Sequence, residues 1–302
     1  MKRSAFPTEG VWLTGNLHTH STLSDGSWTP EEMAAHYRAN GYDFLCCSDH
    51  HLFAAHDEAF ASQGIISLNG AERTYFYDAE KKTDLLAIAA GTDCGAYENR
   101  PYKSANLPLQ TLIDRMHDEG QLVIIPHPYG YRITADDIFP LKHIFGVEVY
   151  NGDSSLCGLM GDSTHIWDEL LRRGKRVFAT GGDDAHSKAC ACRCRTVVKA
   201  KERSRAAILD ALRVGDFYVS TGPEITDFGV EDGEVYVTCS PCRAIHFRPY
   251  PCRTRTRGDR AGSGLLSEAR LPLTGEEQYV YAICEDDRGR LAWTQPIRFE
   301  NS

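Results

Sequence analysis

The sequence predicts an α/β domain followed by a small antiparallel β-domain, and two observations carry this prediction. Up to about residue 222, short apolar runs alternate with helical patterns, which is the order expected of repeated βα units. From residue 223 to residue 302, strand patterns with turn signals follow one another without helical segments. Repeated βα units form either a parallel barrel or a doubly wound sheet, and both remain open at this point. We therefore divide the chain into residues 1–222 and residues 223–302.

Seven strands are predicted in the first domain, because seven short runs are apolar at most positions. Such runs are typical of parallel strands that are covered on both faces. They are VWLTGNL (11–17), DFLCCS (43–48), IISLNG (65–70), DLLAIAA (84–90), QLVIIP (121–126), GVEVYN (146–151) and RVFATGG (176–182).

Helices are predicted between and after these strands. The best marked is TPEEMAAHYRANG, where Thr29 can cap the helix, Pro30 suits its first position and Glu32 can complete a capping box. Gly41 provides the usual C-terminal stop. Similar patterns occur in LQTLIDRMHDEG, HIWDELLRRG and SRAAILDALRVG.

The second domain begins after STGP at residues 220–223. ITDFGVEDGEVYVTCSP contains a turn signal at Asp232-Gly233, and AIHFRPY, QYVYAICEDDRGR and LAWTQPIRFE follow it. This pattern predicts antiparallel hairpins. The Arg-rich segment 250–273 is predicted to be a long exposed loop.

Composition limits the function classes. The net charge of -9 argues against a nucleic-acid polymer as the main partner, since phosphate backbones attract basic surfaces. No apolar run approaches the roughly 18 residues of a membrane span, and no targeting signal is visible. Several of the 11 cysteines lie inside apolar runs. That placement is typical of reduced thiols, so we expect a cytoplasmic protein.

Histidines and carboxylates occur where the predicted strands end. In a βα barrel these ends converge on one rim, so residues far apart in sequence can meet there. The candidates are His18, His20, Asp25, His50, Glu72, His127, Asp184 and His186. This set exceeds the four ligands of one tetrahedral zinc, which predicts a cluster of two or three ions. Imidazole and carboxylate ligands suit zinc, iron or manganese alike.

The motifs HTHSTLSDG, SDHH, the glutamate of GAERT, PHP and GGDDAH together resemble the PHP family, named for polymerase and histidinol phosphatase domains. The resemblance covers residues 11 to about 222. It implies a distorted (β/α)7, TIM-like barrel. The second domain resembles the small β-domain that one bacterial branch of this family carries.

The resemblance also implies how the ligands are shared. His18 and His20 would bind one ion with Glu72 and Asp184. Glu72 would bridge to a second ion that His127 also binds, and the third ion would be held by Asp25, His50 and His186. In some family members a histidine begins the fourth strand. Asp84 stands at that place here, and we expect it to substitute as an oxygen ligand.

The implied activity is metal-dependent phosphoric ester hydrolysis of a small phosphorylated metabolite or nucleotide. We expect hydroxide bridging two ions to attack phosphorus, because metal ions lower the pKa of bound water to about 7. Besides bridging Glu72, the predicted catalytic groups are Asp184, which could accept the proton of the water, and either His50 or His186, which could protonate the leaving group.

Loop cations are predicted to hold the phosphate. Arg100 and Lys103 lie in the long segment 92–106, Arg132 follows the PHP motif, and Arg73 follows Glu72 directly.

Two other functions stay open. The same ions could hydrolyse a non-phosphate ester or a carbamate, or the chain could be a non-catalytic, metal-containing binding module.

The cysteines suggest a separate site. The thiols of Cys190, Cys192 and Cys194, and the Cys239-x-x-Cys242 pair, could hold a soft metal or sense redox state.

Overall fold

The computed structural model describes residues 2–89, 91, 99–258 and 264–299. Its elements up to residue 220 are β1 (Lys2–Ser4), β2 (Val11–Thr19), α1 (Pro30–Ala39), β3 (Phe44–Cys47), α2 (Asp57–Ser62), β4 (Ile66–Phe76), β5 (Lys82–Ala89), β6 (Tyr102–Lys103), α3 (Leu109–Asp118), β7 (Leu122–Ile125), α4 (Ala135–Ile138), β8 (Gly146–Asn151), α5 (Gly152–Leu156), α6 (Thr164–Arg172), β9 (Phe178–Gly182), β10 (Arg195–Ala200), α7 (Arg205–Val214) and β11 (Phe217–Ser220). The remaining elements are β12 (Ile225–Glu231), β13 (Glu234–Cys242), β14 (Ala244–Tyr250), β15 (Arg255–Gly258), β16 (Leu266–Pro272), β17 (Tyr279–Glu285), β18 (Leu291–Thr294) and β19 (Ile297–Arg298).

The fold is a mixed α/β fold built around one large sheet, which confirms the predicted α/β class. All seven predicted strands are present, as β2, β3, β4, β5, β7, β8 and β9. The expectation of purely parallel pairing is wrong at β5, which runs antiparallel to both β4 and β7. The physical reason is the short connection after β4, where the Tyr77 amide donates to the Lys81 carbonyl. A link of this length joins only antiparallel neighbours.

The two ends of this strand series meet at one place. The sheet runs in the order β2-β3-β4-β5-β7-β8-β9 through the first domain. Beyond β9, the Asp184 amide donates to the His18 carbonyl at 2.8 Å, and the His20 amide donates to the Ala185 carbonyl at 3.1 Å. A Cβ on Gly182 would lie 2.5 Å from the His18 Cβ, so this close approach requires glycine. Closure of the strands into a barrel stays a prediction.

Strands of residues 223–302 continue this sheet and form a second one. β18 pairs with β11, and β17 and β14 follow it, so the large sheet passes through residue 222. β1, β12, β13 and β16 form a separate four-stranded antiparallel sheet. The predicted loop 250–273 is partly wrong, because β15 and β16 lie in it. The many arginines of this segment suggest a loop, but in β16 the buried side chains of Ala269 and Leu271 alternate with exposed ones, which is the pattern of a strand. The division of the chain at residue 222 stays a prediction.

The first predicted helix has the end signals that the sequence indicated. In α1 the Glu32 amide donates to the Thr29 Oγ1 at 3.3 Å, and the Thr29 amide donates to the Glu32 Oε2 at 2.9 Å. Gly41 follows with a φ of 84°, which glycine adopts at little cost. Helices α3, α6 and α7 match the other three patterns. Among the described residues, no helix is long and apolar enough to cross a membrane.

Candidate metal centre

The structure brings the nine predicted ligands together at one end of the first-domain strands. They form three overlapping groups whose ligand atoms lie within 4.8 Å of one another. The central group is His18, His20, Glu72 and Asp184; the inner group is Glu72, Asp84 and His127; the outer group is His20, Asp25, His50 and His186. Glu72 and His20 each belong to two groups, so the groups are contiguous. We call these nine residues the metal centre.

The central group has the spacing of a tetrahedral ligand set. The His18 Nε2 lies 3.3 Å from the Glu72 Oε2 and 3.2 Å from the Asp184 Oδ1. The His20 Nε2 lies 3.3 Å and 3.0 Å from the same two oxygens. Ligands at about 2.1 Å from a tetrahedral ion are about 3.4 Å apart, so these separations fit one ion.

The same four atoms are buried without a hydrogen bond. His18 Nε2, His20 Nε2, Glu72 Oε2 and Asp184 Oδ1 have no hydrogen-bond partner in the described part of the chain. Buried polar atoms are normally paired, because an unpaired one costs roughly 1–3 kcal/mol. A cation at this point would satisfy all four atoms, so the residues present fit a metal ion.

Two of the three residues in the inner group are carboxylates. The His127 Nε2 lies 2.9 Å from the Glu72 Oε1 and 3.8 Å from the Asp84 Oδ2. Both carboxylate oxygens of Asp84 are buried without a hydrogen bond to any described residue. Antiparallel pairing of β5 places Asp84 opposite Thr74, two residues beyond Glu72, and this turns the start of the strand toward the metal centre.

The outer group faces solvent. The Asp25 Oδ1 lies 3.3 Å from the His186 Nε2, and the Asp25 Oδ2 lies 3.5 Å from the His50 Nε2. The side chains of Asp25, His50 and His186 are 55%, 27% and 30% exposed, whereas those of the central and inner groups are buried. A ligand that approaches from solvent therefore meets the outer group first.

A cavity of about 400 Å³ opens over the metal centre, and we call it the rim cavity. It is lined by members of all three groups and by His51, Thr74, Lys82, Tyr131, Asp153 and Ser154. Lys82 is the only lysine or arginine among its described lining residues. Its Nζ lies 3.0 Å from the Tyr131 hydroxyl and 4.3 Å from the centre of that ring.

Sequence reasoning did not find Lys82. The sequence predicts the fourth strand from residue 84, which leaves Lys82 outside it. In the structure β5 begins at Lys82, and the period of two in a strand places it on the same face as Asp84.

The four cations predicted to bind phosphate lie elsewhere. None of them lines the rim cavity in the described part of the chain. Arg73 is buried with its Nη1 3.5 Å from the His51 carbonyl, since strand alternation turns it away from the face of Glu72. Arg100, Lys103 and Arg132 are exposed. Residues 92–98 of the predicted binding segment lie outside the described residues.

No protein-family model and no curated protein matches the sequence. A solved two-domain protein from Bacteroides vulgatus, described as containing a predicted PHP-like metal-dependent phosphoesterase, is similar over 97% of both chains, with 14% identity and a TM-score of 0.53. The chain has a PHP-like fold.

Two other solved structures are similar at a TM-score of 0.45. A candidate metal-dependent phosphoesterase from Bifidobacterium adolescentis is 18% identical over 61% of this chain and 90% of its own. A lesion-specific endonuclease from Pyrococcus furiosus is 13% identical over 67% of this chain and 56% of its own.

Glu148 supports the metal centre of this PHP-like fold from behind. Its Oε1 lies 3.0 Å from the His18 Nδ1, and its Oε2 accepts from the His127 amide and from the Asn151 Nδ2, each at 2.9 Å. A carboxylate bound to one ring nitrogen fixes the imidazole so that the other nitrogen faces the ion. Glu148 lies in the predicted strand 146–151, and only its contacts in the structure show that it supports two ligands and is not one itself.

We expect Glu148→Gln to weaken metal binding by about 10- to 100-fold, because the neutral amide orients and polarises the His18 ring less well. The measurement is metal titration against a competing chelator. Glu202→Gln, an exposed site, is the matched control. Equal affinity in both variants would show that Glu148 only supports the fold.

Two further aspartates position the loops that carry ligands. Asp49 accepts from the Ser21 amide at 2.8 Å, the Ser21 Oγ at 2.7 Å and the Ser24 Oγ at 2.6 Å, and so fixes the loop that bears Asp25. Asp183 accepts from the Tyr37 hydroxyl at 2.7 Å and from three amides of residues 192–194. Burial raises the pKa of Asp183 to about 7, although these hydrogen bonds oppose the shift.

The segment KACACRCRT forms a turn over residues 188–192 and enters β10 only at Arg195, so it is not one extended strand that would place its thiols on one face. Within the described residues, neither these cysteines nor the Cys239 and Cys242 pair belong to a group with metal-ligand spacing. The soft-metal hypothesis therefore has no support from the geometry of the described residues.

Two of the eight described non-glycine residues with positive φ are candidate ligands. Asp184 has a φ of 53° and His127 a φ of 29°, both positive. Such conformations cost about 1–3 kcal/mol each and persist only where surrounding contacts impose them. Here the Asp184 amide is held by the His18 carbonyl, and the His127 amide is held by Glu148.

The imidazoles and carboxylates of the metal centre shift one another's pKa values. Burial by itself lowers the pKa of His20 and His127, but Asp184 and Glu72 beside His20, and Glu72 beside His127, outweigh it and raise each pKa to about 9. Conversely, burial favours a protonated Glu72, but His18 and the other imidazoles hold its pKa well below the usual range. Incoming metal ions must therefore displace protons from the imidazoles.

Proposed function

We propose that this chain is a metal-dependent hydrolase that cleaves a phosphoric ester of a small phosphorylated metabolite or nucleotide. The observation that carries the proposal is the combination of three contiguous ligand groups, one of them half-exposed, with a rim cavity of about 400 Å³ that includes Lys82. Catalytic metal sites keep such an open side, whereas structural sites are closed by four ligands. This difference favours an enzyme over a metal-containing binding module.

The central, inner and outer groups would hold two or three divalent ions, such as zinc, iron or manganese. Bound ions of this kind lower the pKa of water and neutralise the oxygens of a phosphoryl group. The finer architecture that we propose is a distorted (β/α)7 barrel over residues 1–222 with a separate β-domain over residues 223–302. The nine ligands would then lie on the carboxyl rim of that barrel.

The side chains around the cavity have complementary tasks. The Asn151 Nδ2 donates to the Asp184 Oδ2 at 3.3 Å and orients this carboxylate, which would accept the proton of the attacking water. His186 donates from Nδ1 to the Asp184 carbonyl at 2.9 Å, so its Nε2 faces Asp25 and the cavity. His50 is the other half-exposed imidazole at the cavity, and either ring could protonate the leaving oxygen.

The proposal is tested by reconstituting the protein with zinc, iron or manganese and assaying two substrate sets. One contains nucleoside monophosphates and bisphosphates and sugar phosphates, and the other contains aryl esters and carbamates. We expect phosphate release that a chelator abolishes and one of the metals restores. Full activity in metal-free protein would refute a metal-dependent hydrolase, and turnover of the second set alone would assign the alternative ester or carbamate hydrolase.

Lys82 gives a further test of how phosphate is held. We expect Lys82→Met to raise KM by about tenfold and to change kcat less, because the ammonium group would contact phosphate in both the bound and the reacting state. Lys103→Met is the matched comparison, since Lys103 is exposed and outside the rim cavity. A raised KM in the Lys103 variant alone would return the role to the residue that the sequence indicated.

A further inference from the structure

A second cavity, of about 940 Å³, lies at the start of β9 and not at its end. Its walls include Arg176 just before β9, Phe178 at the first position of β9 and Arg3 from β1. Gln278 just before β17, Arg298 from β19 and Phe299 just after β19 complete them. We call it the basic cleft. The described residues that line this cavity include none of those that line the rim cavity, and the length of β9, Phe178–Gly182, separates the two by roughly 13 Å. The two cavities are therefore distinct sites.

The charge of the basic cleft is the opposite of that of the whole protein. The chain has 42 acidic and 33 basic residues, yet three arginines and no aspartate or glutamate are among the described residues that line this cleft. Arg3, Arg176 and Arg298 make no ion pair within residues 2–89, 91, 99–258 and 264–299. Nearby Arg173, by contrast, pairs with Asp136 at 2.8 Å.

Arg176 and Arg298 line the same cleft. Burial lowers the pKa of Arg298, and the charge of Arg176 adds to this effect. Arg298 is positioned by its Nη2, which donates to the Lys175 carbonyl at 3.1 Å. Arginine stays charged under all ordinary conditions, so an anion in the cleft would meet these positive charges.

The rest of the wall is partly polar, with Ser4, Gln278 and Gln295, and partly apolar. Phe178, Phe299 and Ile297 line the cleft, together with Val214, which is 69% exposed. A ligand that is complementary to both the arginines and the apolar part of the wall carries several anionic oxygens and a flat or apolar group. The volume lies within the roughly 300–1,000 Å³ of small-molecule sites, so a ligand of nucleotide size fits.

We propose that the basic cleft is a binding site for a small polyphosphate ligand of the nucleoside di- or triphosphate class. Arginine forks bind phosphate oxygens in pairs, and three of them suit a chain of phosphates better than a single carboxylate. The phosphates contact Arg3, Arg176 and Arg298, and the base lies against the apolar wall. This site goes beyond the proposed hydrolase and does not depend on the metal centre.

The test is calorimetric titration of the metal-loaded protein with ATP and with inorganic triphosphate at low salt, where exposed charges are weakly screened. We expect the double variant Arg176→Gln/Arg298→Gln to lose at least about tenfold in affinity for both ligands. The matched control is Arg172→Gln/Arg213→Gln, whose arginines are exposed and lie outside the cleft, and it should bind as the unmodified protein does. Thermal melting confirms that each variant is folded.

Binding at the metal centre is separated by repeating the titration in Glu72→Gln protein. We expect the cleft affinity to survive there and to disappear when Arg176→Gln/Arg298→Gln is added. Hydrolysis by the cleft variant should be unchanged. Equal affinity of the cleft variant and the unmodified protein in the Glu72→Gln background would overturn the site while leaving the proposed hydrolase intact. If triphosphate bound more tightly than ATP, the proposed contact between the base and the apolar wall would be contradicted.

Discussion

Replacing Glu72 by glutamine is expected to remove at least one bound ion and to lower kcat by about a thousandfold or more. Glu72 belongs to two ligand groups, and its carboxylate oxygens lie 3.3 Å from the His18 Nε2 and 2.9 Å from the His127 Nε2. A neutral amide binds a divalent ion far less well than a carboxylate. Losing several kcal/mol of metal-based transition-state stabilisation corresponds to the stated factor.

The measurement combines metal content of the purified protein with single-turnover rates on the best substrate. Glu58→Gln, on the exposed side of α2, is the matched control and should retain both metal and rate. A Glu72→Gln protein that keeps every ion but loses turnover would point to a proton-transfer role without a ligand role. Unchanged turnover would contradict the assignment of this centre as the active site.

The metal-free protein is expected to lose stability as the pH rises from 6.5 to 9. His20 and His127 have pKa values of about 9 in the folded protein, above the 6.5 of an ordinary imidazole. The folded state therefore holds protons that the unfolded state releases. Their stabilising contribution is complete below pH 6.5 and is lost as the pH rises through about 9. We expect Tm to fall on the order of 5 °C across this window.

Metal ions should remove this dependence, because they replace the protons as partners of the buried carboxylates. Melting curves at several pH values, with and without zinc or manganese, measure the difference. Buried thiols such as Cys46, whose pKa burial raises to about 12, contribute to both forms and cancel in the comparison. Parallel Tm curves for the metal-free and metal-loaded protein would show that the imidazoles do not hold these protons.

Strand and helix positions were predictable from the chain because local patterns specify them. The capping box of Thr29 and Glu32, and the apolar runs of β2, β3, β7, β8 and β9, are signals that a few neighbouring residues carry. The direction of β5 was not predictable from its own residues. It follows from the turn that closes on Lys81, and an apolar run reads the same in a parallel and an antiparallel strand.

The ligands of the metal centre were likewise predictable only in part. His18 and His20 lie two apart on one strand, so they share a face by geometry alone. Which carboxylates join them depends on contacts between distant segments. Asp84 faces the centre because β5 is antiparallel, whereas Arg73 turns away because it alternates with Glu72.

The sequence by itself determined the type of chemistry, since imidazoles and carboxylates at successive strand ends suit few tasks other than holding metal ions. Only the tertiary structure decided how these groups are shared and what surrounds them. It places Glu148 behind His18, Lys82 over the cavity, and three arginines that form no ion pair with a described residue in a cleft at the far end of β9. Ligand type is a property of each residue, but orientation, desolvation and charge balance arise between segments that the fold alone brings together.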